Sequence, residues 1–346
     1  MTMEQPIKSY SIEGLQDLMQ HLGQPSFRAR QLFEWLYLHH ATSYDDMTNL
    51  PASLRKCLTN NYPLYPSKII DKQVSQDGTK KYVIEFHDRS QAEAVAIPSN
   101  QAHERMTVCF STQIGCPIGC TFCATGKEGF TRNLTPGEIV DQILISQSDT
   151  GKRVTNIVAM GQGEPFLNYD NVLAALRILN SSQGLAIGAR HITLSTCGIF
   201  SGIERLSSEP EQFTLAVSLH AARQQVRNQL MPHLASYPLS KLRAIIEEYL
   251  AATNRRVTFE YIMIKGVNDL PPDRDALLEF CDGLLCHVNL IPINTVEDFS
   301  YQPSSKETQE SWIQLLQKQG TEATVRNSRG NDIAGACGQL KNKLSS

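Results

Sequence analysis

Three thiols fall within eight residues, at Cys116, Cys120 and Cys123 of "GCPIGCTFCATG". The spacing is C-x3-C-x2-C, and the interspersed glycines let a loop wrap so that all three sulfurs face one centre. A structural zinc site closes with four ligands, and the loop offers no fourth Cys or His. A [4Fe–4S] cluster also usually takes four cysteines. Three ligands therefore leave two main readings: zinc with a distant fourth ligand, or a cluster with one iron open. An open iron could chelate a small molecule carrying an amine and a carboxylate. Unligated cysteines are the third reading.

Other residues able to do chemistry follow strand-like runs. "GQGEP" carries Gly163 and Glu164, "LSTCG" carries Ser195, "SLH" carries Ser218, Leu219 and His220, and "LIPIN" carries Asn294. Each alone reads as ordinary turn chemistry. Two more cysteines stand out by position: Cys109, seven residues before the loop, and Cys337 in "RNSRGNDIAGACGQL". A lone cysteine is usually a small buried hydrophobe. That reading suits Cys57, Cys197, Cys281 and Cys286 but not Cys337, which lies between Ala336 and Gly338.

These residues need elements to position them. Residues 1–67 read as a small helical domain. "SIEGLQDLMQHLG" stops at Gly23. "SFRARQLFEWLYLHH" has Ser26 as its cap and an apolar stripe of Leu32, Phe33, Leu36 and Tyr37. Residues 68–103 switch to period-two alternation around Asp77-Gly78, which predicts an antiparallel β-hairpin linker. Residues 104–346 alternate strand and helix patterns, starting from "MTVCFST". Thr135 and Glu138 form a capping-box pattern at one helix start. About six strand–helix units predict an α/β fold, a partial (β/α)6 TIM-like barrel, with its site at the strand C-termini.

The chain has 346 residues, 41% of them apolar, and a formal net charge of −3. No apolar run approaches the ~20 residues of a membrane span, and the N-terminus has no signal-peptide pattern. The expectation is a cytoplasmic protein with no membrane partner, monomeric by default. Nine cysteines in a reducing compartment point to metal binding, catalysis or burial rather than a disulfide framework.

The cysteine loop after the first barrel strand resembles that of the radical S-adenosylmethionine superfamily. There the three thiolates hold a [4Fe–4S] cluster, and its open iron binds the methionyl end of S-adenosylmethionine. The resemblance extends through "GEP", "SLH", "NLIP" and the ending "ACGQL". Over nearly its whole length the chain resembles the members that methylate carbon 2 of an adenosine in 23S ribosomal RNA. That resemblance implies cofactor-binding roles for Gly163, Glu164, Ser195, Ser218, Leu219, His220 and Asn294.

It also implies a mechanism with two cofactor molecules per turnover. Cys337 takes a methyl from one. The second, on the cluster, yields a radical that removes a hydrogen from that methyl. The carbon radical adds to adenine, a base removes the carbon-2 proton, and Cys109 attacks Cys337, forming a transient disulfide that frees the methylated RNA. The motif E-x-V-x-I-P, matched by "EAVAIP", nominates Glu93 as the base. An electron donor such as flavodoxin is implied, and transfer RNA is an open second substrate.

Three departures bear on substrate fit: Gln162 replaces a methionine, Ala334 replaces an acidic residue, and "MPHLASYP" lacks an asparagine. Two rivals are a relative that methylates carbon 8 of the same adenosine, disfavoured by Pro165, and a zinc-stabilised RNA-binding protein without catalysis. Candidate phosphate contacts are Arg28, Arg30, Lys80, Lys81, Arg326 and Arg329.

Overall fold

The structure, a computed structural model, describes residues 6–99, 105–294 and 300–341. The front helices are α1 (Ile12–His21), α2 (Phe27–Tyr37) and α3 (Ala52–Asn61). Ser11 caps α1, its hydroxyl accepting from the Gly14 amide at 3.1 Å. Ser26 precedes α2 as expected but makes no capping bond, because its own backbone is already helical. Leu32, Phe33, Leu36 and Tyr37 are all buried, as their spacing predicts.

Next come β1 (Lys68–Val74), β2 (Lys80–Glu85), β3 (Gln91–Pro98), β4 (Met106–Cys109) and β5 (Gln113–Gly115). The thiol loop leads into α4 (Ala124–Glu128) and β6 (Phe130–Asn133), then α5 (Pro136–Thr150). Thr135 and Glu138 form the expected capping box on α5. The alternation continues with β7 (Asn156–Ala159), α6 (Tyr169–Asn180), β8 (Ile192–Thr196), α7 (Phe200–Ser207), β9 (Thr214–Ser218) and α8 (Gln224–Leu230). It ends with α9 (Leu239–Thr253), β10 (Val257–Met263), α10 (Pro271–Cys281), β11 (Cys286–Pro292), α11 (Lys306–Lys318) and β12 (Glu322–Val325).

Ten strands form one sheet in the order β1-β2-β3-β4-β7-β8-β9-β10-β11-β12. From β4 onward neighbours are parallel, and β1 to β4 are antiparallel. The antiparallel strands therefore do not stand apart as a linker. They extend the barrel sheet through hydrogen bonds between β3 and β4. The register places Lys81 opposite Val95 and Val95 opposite Cys109. These three share one sheet face, and Glu93, two residues from Val95, shares it too.

A buried ion pair ties the front helices to the barrel: Lys8 Nζ lies 2.8 Å from Asp141 of α5. Among the described residues no helix is long and apolar enough to cross a membrane.

Candidate active site

A cleft at the C-terminal ends of the parallel strands gathers the chemistry. Cys116, Cys120, Cys123, Glu164, Ser195 and Cys337 all line it. The thiol loop wraps as its glycines predict, with Gly115 at φ +72° and Gly119 at φ +66°. It is pinned by the Cys116 amide, which donates to Gly129 O at 2.7 Å. Burial raises the Cys116 and Cys123 thiols above their ordinary range. A buried thiol resists ionisation in isolation, and a bound metal centre reverses that preference.

The "GQGE" turn after β7 is built close. A Cβ on Gly161 would come within 2.7 Å of the Phe110 backbone, and one on Gly163, at φ +99°, within 2.6 Å of Gln113 Cβ. Glycine is needed at both points for close approach, and at Gly163 for the positive φ as well. Glu164 is buried and accepts from the Phe166 amide at 3.0 Å and the Cys197 amide at 2.7 Å. Burial pushes its carboxyl upward, and these bonds oppose the shift. The carboxyl lines the cleft, placed where an amine could meet it.

Ser195 and Ser218 hydroxyls lie 3.5 Å apart on the ends of β8 and β9. His220 lines the same cleft at φ +56°. Burial lowers its pKa to about 3, so the imidazole is neutral, and Nδ1 accepts from the Ile262 amide at 3.1 Å. Leu219 is fully buried, and its backbone carbonyl bonds Arg227, so its part is to shape the turn. Asn294 donates to Cys337 O at 3.1 Å, which places it on the cysteine loop.

A second cavity adjoins the first, lined by Cys109, Met160, Arg326, Cys337 and Leu340 among others. Cys337 lines both. Burial, then the neighbouring Cys337, push the Cys109 thiol up to about 12, and Arg326 opposes them. The end of the chain is laid over the thiol loop: Ala124 N donates to Gly338 O at 2.8 Å, and Thr125 Oγ1 to Leu340 O at 2.7 Å. Glu93 lines neither cavity. It is wholly buried beside Val95, which Leu340 covers, and pairs with Lys81.

Three sequence readings change. Cys197 is not a bystander in the core: it lines the cleft, and its thiol interacts with Cys120. Lys80 is bonded to Asp149 and Lys81 is buried, so neither is placed to meet phosphate. Arg326 is turned inward to Glu260 at 3.6 Å and Met160 Sδ at 3.4 Å. Arg227 was missed altogether. It is 1% exposed and donates to the carbonyls of Ser218, Leu219 and Cys197, locking the ends of β8 and β9 together. Nothing in "QQVRNQL" signals that role.

Parallel strands with three thiols on the loop after the first, and a buried glutamate turn after the second, define a radical S-adenosylmethionine protein. The Radical SAM superfamily model matches residues 110–281. The model described as the ribosomal RNA large subunit methyltransferase N-terminal domain matches residues 7–63. The chain is 41% identical over 336 residues to the probable dual-specificity RNA methyltransferase RlmN of Clostridium novyi, covering 97% of each protein. To the Synechococcus sp. protein of the same description it is 45% identical over 347 residues, covering 99% of this chain and 97% of the relative. A crystal structure of a radical SAM methyltransferase from Sphaerobacter thermophilus matches with a TM-score of 0.92 at 42% identity, covering 98% of this chain and all of that one. The chain belongs to the RlmN family of radical SAM RNA methyltransferases. The family implies a [4Fe–4S] cluster and S-adenosylmethionine. The donor set fits both: three thiols on one cleft wall, with the Glu164 carboxylate and the Ser195 and Ser218 hydroxyls lining the same cleft.

Proposed function

We propose that the protein methylates carbon 2 of an adenosine in 23S ribosomal RNA and of one in transfer RNA; its relatives are described as dual-specificity RNA methyltransferases. The observation that carries this reading is the position of Cys337, which lines both the cleft with the cluster thiols and the cavity with Cys109. One sulfur can thus accept a methyl on one side and be attacked by a thiol on the other.

Cys116, Cys120 and Cys123 would hold the cluster, and Glu164 the amine of S-adenosylmethionine. When bound, these groups supply a 5′-deoxyadenosyl radical. Ser195, Ser218 and His220 line the space for the rest of the cofactor, and two cofactor molecules are used per turnover. Cys337 carries the methyl to the base, since carbon 2 of adenine is too electron-poor for polar methylation. Asn294 holds the Cys337 carbonyl. Glu93 takes the carbon-2 proton, and Cys109 releases the product by attacking Cys337 sulfur. An electron donor such as flavodoxin, a monomeric state and a cytoplasmic location complete the reading.

The test is anaerobic reaction of the reconstituted protein with unmodified 23S RNA fragments, with the methyl mapped by mass spectrometry. Methyl on carbon 2, no turnover in Cys337→Ala and RNA trapped on protein in Cys109→Ala are the expected results. Methyl on carbon 8 would keep the chemistry and overturn the specificity. Cofactor cleavage without methyl transfer would overturn the substrate.

A further inference from the structure

Two opposite charges sit in the interior on the sheet face that also carries Cys109. Lys81 Nζ lies 3.2 Å from Glu93 Oε1, with side-chain exposures of 3% and 0%. Burying such a pair costs several kcal/mol per ion before attraction is counted, and well-packed apolar residues serve stability as well or better. The pair also lies where chemistry is expected. The register sets Lys81, Val95 and Cys109 in one row across β2, β3 and β4, with Glu93 on the same face. Leu340, three residues after Cys337, packs on Val95 and Cys109.

Among the described residues, Glu128 on α4 also lies near Glu93, and Lys341 lies near Glu128. Glu128 is pushed up to about 7 by partial burial and the Glu93 charge, and Lys341 opposes this. A carboxyl in such a place, without a cation, favours its neutral form and is lost as a base.

We propose that Lys81 is a positioning residue for Glu93, holding the carboxylate ionised and oriented to accept the carbon-2 proton of the RNA adduct. The proposal rests on the reading of Glu93 as the base. In this step the carbon-2–hydrogen bond breaks, its electron pair stays with the purine ring, and the proton ends on a Glu93 oxygen.

The experiment uses the reconstituted holoenzyme in a Cys109→Ala background, so that the titration of the Cys109 thiol does not enter. RNA deuterated at carbon 2 is supplied, and loss of deuterium from the trapped adduct is followed by mass spectrometry from pH 5 to 9. Lys81→Met, Lys81→Arg and Glu93→Gln are compared. Lys81→Met should form the adduct but lose deuterium roughly tenfold more slowly at pH 7, a part of the ~10²–10⁴-fold that a general base supplies. Its acid limb should move to higher pH, and Lys81→Arg should restore the parent profile.

An unchanged profile in Lys81→Met overturns the proposal. So does failure of Lys81→Met to form adduct while remaining folded, which marks a structural role. Undiminished deuterium loss in Glu93→Gln sinks the base reading itself, and the proposal with it. If Lys81→Met does not fold, the parent profile decides: it should stay flat down to about pH 5, as for a carboxylate of ordinary or lower pKa. An acid limb beginning above about pH 6.5 would overturn the proposal.

Discussion

At the scale of residues, the site is held by groups whose value lies in what they bond. Arg227 is the clearest case. Its guanidinium joins three carbonyls on two strand ends, and one of these belongs to Cys197, whose amide binds Glu164. Arg227→Met should therefore leave buried carbonyls without a donor. Each hydrogen bond to a charged group is worth about 1.5–3 kcal/mol, so a loss of about 3 kcal/mol is expected in denaturant unfolding. Reconstituted iron should bind less well in the same variant. A variant as stable as the parent would mean that the carbonyls find water.

At the scale of elements, one carboxylate joins the antiparallel strands to the barrel. Asp149, near the end of α5, accepts from Lys72 of β1 at 2.9 Å and from Lys80 and Tyr82 of β2 at 2.8 and 3.0 Å. Burial alone would raise its pKa, but the Lys80, Lys72 and Tyr82 bonds outweigh that and lower it to about 2. An unfolded aspartate titrates near ~3.9. The stabilisation is thus complete above about pH 4 and disappears as pH falls through about 2. Asp149→Asn should be less stable than the parent at pH 7, and most of the gap should be gone at pH 2. Chemical denaturation at the two pH values checks this, and a gap that persists at pH 2 would assign the loss to packing.

The same scale shows how far local signals carry. The capping box at Thr135, the Gly23 stop and the Asp77-Gly78 turn are all where their chemistry predicts. Such signals depend on a few adjacent residues and so survive in one dimension. The Ser26 cap fails because its backbone enters the helical region one residue early, which tertiary packing decides. The fate of Lys80 and Lys81 was hidden for the same reason. Their partners Asp149 and Glu93 are distant in sequence or reached only through strand register.

At the scale of the whole molecule, a chain of net charge −3 must still bind RNA. Several of its cations are already engaged: Lys8 with Asp141, Lys80 with Asp149, Lys81 with Glu93 and Arg326 with Glu260. With these withdrawn and a net negative chain, binding should rest more on base stacking and shape than on many phosphate contacts. The slope of log affinity against log salt should be about −4 or shallower, measured by filter binding. A slope steeper than about −6 would reveal a concentrated basic face.

By itself the sequence determined the chemistry available. Three thiols at tight spacing and glycines at the turns that need them limit the loop to a few thiolate chemistries, because spacing within a loop limits which ligands can meet, and the resemblance carried by the loop, "GEP", "SLH", "NLIP" and "ACGQL" together points to a radical SAM methyltransferase. Only the tertiary structure decided which distant groups meet. It put Cys197 beside Cys120 of the thiol loop, laid residues 338–340 on the loop at Ala124 and Thr125, and set Cys337 between two cavities. It also buried Lys81 against Glu93. Parallel crossovers and strand register make those contacts, and both are settled by burial of the sheet as a whole rather than by neighbouring residues.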